Sequence, residues 1–195
     1  MNKNYIQSIL KSAPDLRLIE NYICEKPSGD FLKGFCVEKR SQGISIWMFI
    51  LPLYDHVTFI HKTFGESVTN DFTRNGIETP GEAFLRTVSP HREFLSNLSC
   101  PSKFLVYLDA LEARRNIWGE RAYATTLIMQ DRPLEALNCL EELLDKDLGS
   151  REAMKNFIKD IECLYSETKI DKAAAKNLLT QWKSESIARL GIFPS

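Results

Sequence analysis

The chain has 195 residues, of which 44% are hydrophobic and 26% are charged, and its formal net charge is −1. This composition predicts a folded globular protein and excludes a largely disordered chain. The charges are balanced in both halves, which argues against nucleic acid as the main partner, because phosphate binding needs a strongly basic face.

The longest apolar run, residues 46–51, is far shorter than the roughly 20 residues that span a bilayer, and the N-terminus lacks a signal-peptide pattern. We therefore expect a cytoplasmic protein with no membrane contact. The five cysteines are odd in number and dispersed among mostly apolar neighbours, which favours reduced thiols over a disulfide framework. No CxxC pair anchors a zinc ion, so neither a metal nor another cofactor is expected.

The first elements are short. Residues 4–11 place their apolar side chains on one helical face, and Pro14 ends the helix. Residues 16–24 are ambiguous, because their apolar spacing fits a helix while the sequence YIC at residues 22–24 also suits a strand. The helix is favoured.

A β-meander of about three strands is predicted between residues 31 and 64. Residues 31–39 form a half-polar strand and a turn follows. In residues 44–51 the side chains that would point to either face of the sheet are apolar. This strand should therefore be central, with both of its faces covered. Pro52 ends it, the chain turns, and residues 57–64 return as a third, more amphipathic strand.

A polar connection then leads into a helical region. Val68 and Phe72 are spaced for one helical turn, and Gly76 is placed to break it. Residues 79–82 match a capping box, in which Thr79 and Glu82 satisfy the open amides at a helix start.

Further helices follow up to the C-terminus. Pro90 and Pro101 each have the position of a first-turn proline and predict two helix starts. Residues 150–166 and 171–190 each carry an apolar stripe, and Gly191 is placed to end the last helix.

The predicted fold class is α+β, with an N-terminal antiparallel β-meander packed against a predominantly helical C-terminal half. Residues 1–195 should form a single compact domain. Within it, residues 1–76 form the lobe that contains the meander and residues 77–195 form the helical lobe.

Residues 117–146 predict a helix pair with a break at residues 130–133. Its string RPLEALNCLEELL resembles the second helix of a tetratricopeptide repeat, with Ala136 at the small packing position and Leu140 at the following large one. The usual Trp and first Leu of that family are replaced by Glu120 and Tyr123. Because a single repeat cannot bury its own face, the resemblance implies a helical hairpin of similar shape and not a peptide-binding array.

Catalytic chemistry has little support. The three histidines lack an HExxH motif or any other metal-ligand spacing. Cys36 and His61 could lie on neighbouring strands as a nucleophilic pair, although buried packing is the ordinary role of such a cysteine. An enzyme with an active site near His61, Cys36 or Glu66 is therefore the alternative to a binding protein.

Two features favour binding. The corner at residues 54–56 contains a tyrosine, an aspartate and a histidine. Residues of these types often anchor protein interfaces, although they also occur in ordinary turns. An acidic ridge is predicted on the outer face of residues 131–147. The predicted binding residues are Tyr54, Asp55, His56, Glu141, Glu142 and Asp145.

The strings GDFLKGFCVEKR and ISIWMFILPLYDHVTFIHKTFG, followed by an all-helical remainder, resemble a group of small uncharacterised bacterial proteins, some of them associated with toxin-immunity loci. The resemblance covers roughly the meander. It implies a stoichiometric binder and supplies no catalytic residues. The expected function is thus that of a non-enzymatic immunity-type protein whose acidic surface steers it to a basic toxin. A helical scaffold or chaperone is a further alternative.

Overall fold

The computed structural model describes residues 3–27, 29–41, 43–69, 72, 78–148 and 152–192. The α+β class is confirmed. The strands are β1 (Leu16–Ile19), β2 (Tyr22–Glu25), β3 (Phe31–Arg40), β4 (Gly43–Pro52) and β5 (Gly65–Thr69). The helices are α1 (Lys3–Ser12), α2 (Pro80–Asn97), α3 (Pro101–Ala110), α4 (Ile117–Met129), α5 (Pro133–Leu144), α6 (Glu152–Ile170) and α7 (Lys172–Arg189).

The strands form one antiparallel sheet in sequence order, β1-β2-β3-β4-β5. The predicted strands at residues 31–39 and 44–51 correspond to β3 and β4. The sheet has five strands where about three were predicted, because β1, β2 and β5 also pair in it, while the predicted third strand does not.

The first correction concerns residues 16–24, for which a helix was favoured. They form the β1-β2 hairpin, in which Ile19 pairs with Tyr22. The turn between them depends on Glu20, whose φ of 52° lies in the left-handed region that glycine favours. Glutamate rarely adopts this conformation, so the sequence carries no strong turn signal here.

The second correction concerns residues 57–64, which were predicted as the third strand. They are not a strand, and the partner of β4 is β5, where Trp47 lies opposite Ser67. The helical turn expected from Val68 is therefore wrong. Phe72 instead donates its amide to Ile44 O at 2.8 Å, and the predicted break at Gly76 lies outside the described residues.

The chain forms two compact units. Unit 1 comprises Met1–Leu51, Thr58–Ser99 and Ala188–Ser195, and unit 2 comprises Pro52–Val57 and Cys100–Ile187. The predicted lobes at 1–76 and 77–195 differ from these units, because α2 belongs with the sheet and with α1 in unit 1.

In unit 1, α2 packs against α1 and the sheet. The ring of Phe84 on α2 meets Phe35 on β3 edge to face, with 5.8 Å between centroids. The predicted capping box is present, since Thr79 and Glu82 exchange hydrogen bonds at the start of α2. The helix start predicted at Pro90 is wrong, because Pro90 lies inside α2 on an exposed position. Proline has no backbone N–H, so one carbonyl in the preceding turn of the helix lacks its hydrogen bond. At an exposed position, water can bind that carbonyl.

In unit 2, the predicted pair at residues 117–146 is the α4-α5 hairpin. The start of α3 at Pro101 is also confirmed. Helix α4 ends where Asp131 adopts a left-handed φ of 64°. The next amide, of Arg132, bonds back to Leu127 O at 3.0 Å, as in a Schellman motif. Among the described residues no helix is both long enough and apolar enough to cross a membrane.

Candidate functional site

The corner at residues 54–56 lies in unit 2, and two of its three side chains are buried. Tyr54 is 1% exposed and Asp55 is 3% exposed. The Tyr54 hydroxyl shares a hydrogen bond of 3.0 Å with Thr126 Oγ1 on α4. Neither side chain thus offers contact area to a partner in this conformation, so the interpretation of the pair as surface anchors does not fit their position.

Asp55 forms a buried ion pair with Arg121 of α4. Arg121 Nε donates to Asp55 Oδ1 at 3.0 Å, and Nη2 donates to the Asp55 backbone oxygen at 2.8 Å. Thr125 adds a longer hydroxyl contact to the same carboxylate. Burial raises the pKa of Asp55, while the Arg121 guanidinium opposes that rise.

Two aromatic rings lie close to the guanidinium of Arg121. The Arg121 carbon Cζ lies 5.3 Å from the centroid of Trp118 and 5.0 Å from that of Phe157 on α6. Because a guanidinium is attracted to ring faces, these contacts favour burial of its charge. Arg121 was not singled out from the sequence, since an arginine within a helix has no local signal of its buried carboxylate partner.

His56 completes the corner and is partly exposed. Its φ of 50° is left-handed, and its ring stacks on Trp182 of α7 with 5.2 Å between centroids. The nitrogen Nδ1 lies 2.9 Å from Asp160 Oδ2 and Nε2 lies 3.3 Å from Glu185 Oε2. The second contact is close enough for an ion pair but poorly aligned for a hydrogen bond. The corner thus ties α4, α6 and α7 together within unit 2.

The predicted acidic ridge is exposed, but basic or hydroxyl groups hold several of its members. Glu142 accepts a hydrogen bond from Arg114 at 3.0 Å, and Glu141 accepts one from the Tyr165 hydroxyl at 2.5 Å. Asp145 is exposed just beyond the last turn of α5. Because Glu142 is paired with Arg114, this surface presents a weaker negative electrostatic potential to a basic partner.

The alternative catalytic residues do not form an activated nucleophile. The Cys36 thiol lies 3.7 Å from Glu38 Oε1, and burial together with this carboxylate raises its pKa to about 11. A thiol with this pKa stays protonated at neutral pH, the opposite of what nucleophilic attack needs. His61 accepts a hydrogen bond from the Thr63 amide at 3.4 Å, and Glu66 is exposed on β5.

Among the described residues of unit 1, the most exposed aromatic side chain lies in the segment predicted as the third strand. We call residues 58–64 the 58–64 loop. Phe59 is 57% exposed, and its ring contacts His61 with 5.7 Å between centroids. Ile60, the next residue, and Phe64 at the end of the loop are buried. The mixture of apolar and polar residues in this segment was visible in the sequence, but it could not show which ring faces outward.

Hydrogen bonds hold the 58–64 loop on the sheet. The Tyr22 hydroxyl donates to Ile60 O at 3.1 Å, and Lys62 Nζ donates to Glu38 Oε1 at 2.5 Å. The same ammonium lies 5.0 Å from the centroid of Trp47. Phe59 is therefore presented from a segment that is anchored to the sheet on its inner side.

The described residues contain no group of three or more histidine, cysteine or acidic side chains placed to hold a metal ion. Comparisons of the chain with models of known protein families, with curated proteins and with solved structures found no match.

Proposed function

We propose that this chain is a non-enzymatic protein-binding module. The observation that carries the proposal is the presentation of Phe59, an aromatic side chain that is 57% exposed on an anchored loop. Aromatic residues are enriched among the side chains that dominate binding energy at interfaces. A segment already held in place loses less conformational entropy on binding than a free loop does.

The narrower proposal is an immunity-type protein that neutralises a toxin by stoichiometric binding in the cytoplasm. It rests on the resemblance of residues 29–40 and 44–65 to proteins of toxin-immunity loci. The partner would be a basic toxin domain, with the exposed carboxylates of Glu141, Glu142 and Asp145 adding steering. The paired state of Glu142 makes this electrostatic contribution a minor one compared with the aromatic contact.

Binding is tested with the product of the neighbouring gene, produced as an inactive variant and titrated by calorimetry. The Phe59→Ala variant should bind at least about 30-fold more weakly, because loss of an interface hot spot costs 2 kcal/mol or more. The matched control is Phe94→Ala, which removes a second exposed ring of unit 1, 39% exposed. Equal affinities of the wild type and the Phe59→Ala variant would remove the basis of the proposal.

The immunity role has a separate test. Co-expression of the chain with the active neighbouring product should restore growth of the host, and the Phe59→Ala variant should protect less well. Tight binding without any protection would agree with the proposed protein-binding function and would reject the immunity role. Reversal of the charges of Glu141, Glu142 and Asp145 should lower the association rate and its dependence on salt; an unchanged rate and salt dependence would exclude steering by the ridge.

A further inference from the structure

Strand β1 lies at one edge of the sheet, with β2 as its neighbour on the inner side. It has the sequence LRLI and four residues, Leu16–Ile19. A strand at a sheet edge presents backbone N–H and C=O groups that no neighbouring strand pairs, and such an edge is a template for a further strand. The register of β1 decides which of its groups face outward.

The hairpin turn fixes the direction of each backbone group in β1. Ile19 lies opposite Tyr22 with two residues between them, so this pair closes the hairpin with hydrogen bonds. Hydrogen-bonded and non-hydrogen-bonded pairs alternate along an antiparallel ladder, so Arg17 bonds to Cys24 while Leu18 does not bond to β2. The N–H and C=O of Leu18 therefore point away from the sheet.

The other outward position of β1 supports this assignment. Leu16, two residues earlier, donates its amide to Ala13 O at 3.0 Å, so this amide does not bond to β2. Within the described ranges, neither the N–H nor the C=O of Leu18 has a hydrogen-bond partner. The Leu18 side chain is 43% exposed and lies opposite Ile23, which is buried. Leu18 thus leaves a donor, an acceptor and an apolar side chain open at the edge.

Two side chains of opposite charge act on the other face of this edge. Arg17 lies opposite Cys24 and shares its face of the sheet. Burial raises the pKa of the Cys24 thiol to about 12, and the Glu20 carboxylate adds to this rise, so Glu20 acts on the same face. In the part of the chain that the structure describes, neither Arg17 nor Glu20 belongs to an ion pair. Both charges are therefore available to another molecule.

We propose that two copies of this chain pair their β1 strands antiparallel about a two-fold axis beside Leu18. The open N–H and C=O belong to one residue, so the axis lets the two copies exchange both hydrogen bonds. It also brings the two Leu18 side chains together on one face of the joined sheet. On the other face, Arg17 of one copy lies opposite Ile19 of the other copy and within reach of its Glu20.

A second copy matches this edge in its backbone, apolar and charged groups at once, whereas a foreign strand would match the backbone groups alone. The inference does not depend on the proposed function, because none of these groups belongs to the 58–64 loop.

The experiment measures the mass of the full chain by sedimentation velocity over a range of concentrations. The Leu18→Pro variant removes the outward amide and leaves the β1-β2 ladder intact, since that amide does not face β2. The matched control, Leu18→Thr, keeps the amide and favours a strand. The wild type should dimerise. Leu18→Pro should raise the dimer dissociation constant at least about tenfold, because the two exchanged hydrogen bonds are lost, and Leu18→Thr should raise it far less.

A charge exchange tests the register of the two strands. Arg17→Glu and Glu20→Arg should each raise the dissociation constant about threefold at low salt, because each places like charges side by side across the axis. The double variant restores opposite charges and should dimerise almost as the wild type does. Circular dichroism of each variant shows whether the fold is retained, so that a change in mass reports on association.

Four results would overturn the inference. The first is a wild-type chain that stays monomeric at the highest concentration reached; if Leu18→Pro then weakens binding to the neighbouring gene's product, the edge takes a foreign strand. The second is a folded Leu18→Pro variant that dimerises as the wild type does. The third is an equal loss of dimerisation in the Leu18→Thr control, because backbone pairing would not explain it. The fourth is a double charge variant that dimerises no better than the single ones.

Discussion

The buried ion pair of Arg121 and Asp55 gives the sharpest stability prediction. The Arg121→Met variant keeps most of the side-chain volume but leaves the Asp55 carboxylate buried without its counter-charge, with Asp160 nearby. Removal of one partner from a buried pair typically costs about 3 to 5 kcal/mol. At an m-value of about 2 kcal/mol per M, the urea midpoint should fall by about 2 M. The matched control, Arg86→Met, breaks an exposed pair with Glu78 and should shift the midpoint far less.

The pH dependence of this variant separates a charge effect from a packing effect. Burial already raises the pKa of Asp55, and loss of the guanidinium raises it further. A carboxyl whose folded-state pKa lies above its unfolded value favours the folded state below that pKa and loses this contribution as the pH rises. The destabilisation of Arg121→Met should therefore be smaller at about pH 4.5 than at about pH 7.

A double variant completes the test. Adding Asp55→Asn to Arg121→Met removes the uncompensated charge, so the double variant should be more stable at about pH 7 than Arg121→Met alone, a non-additive result expected of directly coupled residues. The reasoning would be refuted if Arg121→Met cost no more than Arg86→Met, or if its cost did not change with pH.

Three further predictions concern single positions. Cys100 should be alkylated first by iodoacetamide at neutral pH, because hydrogen bonds from Ser102 and from helix amides lower its thiol pKa, while burial raises the pKa of Cys24 to about 12; faster labelling of Cys24, read by peptide mass spectrometry, would contradict this. Gly119→Ala should destabilise by at least about 1 to 3 kcal/mol in urea titrations, because its Cβ would lie 1.8 Å from Ala113 O, and an unchanged midpoint would exclude this close approach. Glu20→Gly should stabilise by about 0.5 to 1 kcal/mol by relieving a left-handed φ, and a lower thermal midpoint would argue against strain in that turn.

Local signals in the sequence predicted the parts of the fold whose cause is local. The capping box at Thr79, the proline at the first position of α3 and the break between α4 and α5 all act through neighbouring backbone groups, so their positions could be read directly. Strand β3 was predicted from a half-polar pattern that ends at turn residues, and β4 from a long run of apolar, strand-favouring residues. The resemblance to immunity proteins and the function inferred from it stay predictions.

Other features depended on partners far along the chain. Residues 57–64 carry the alternation of a strand, yet β5 takes the place beside β4, while Tyr22 and Glu38 hold the 58–64 loop on the sheet. The corner at residues 54–56 was predicted as a surface because aromatic, acidic and titratable residues occur at interfaces. Its buried state follows from Arg121, Asp160 and Glu185, which lie more than sixty residues away in the sequence.

The sequence by itself thus determined the α+β class, the helical hairpin and the helix starts at Pro80 and Pro101, because these follow from periodicity, capping and proline chemistry over a few residues. The tertiary structure alone decided which side chains face solvent. It buried Tyr54 and Asp55 and exposed Phe59. The physical reason is that burial of a polar residue depends on whether a distant partner satisfies it, and no local pattern records that partner.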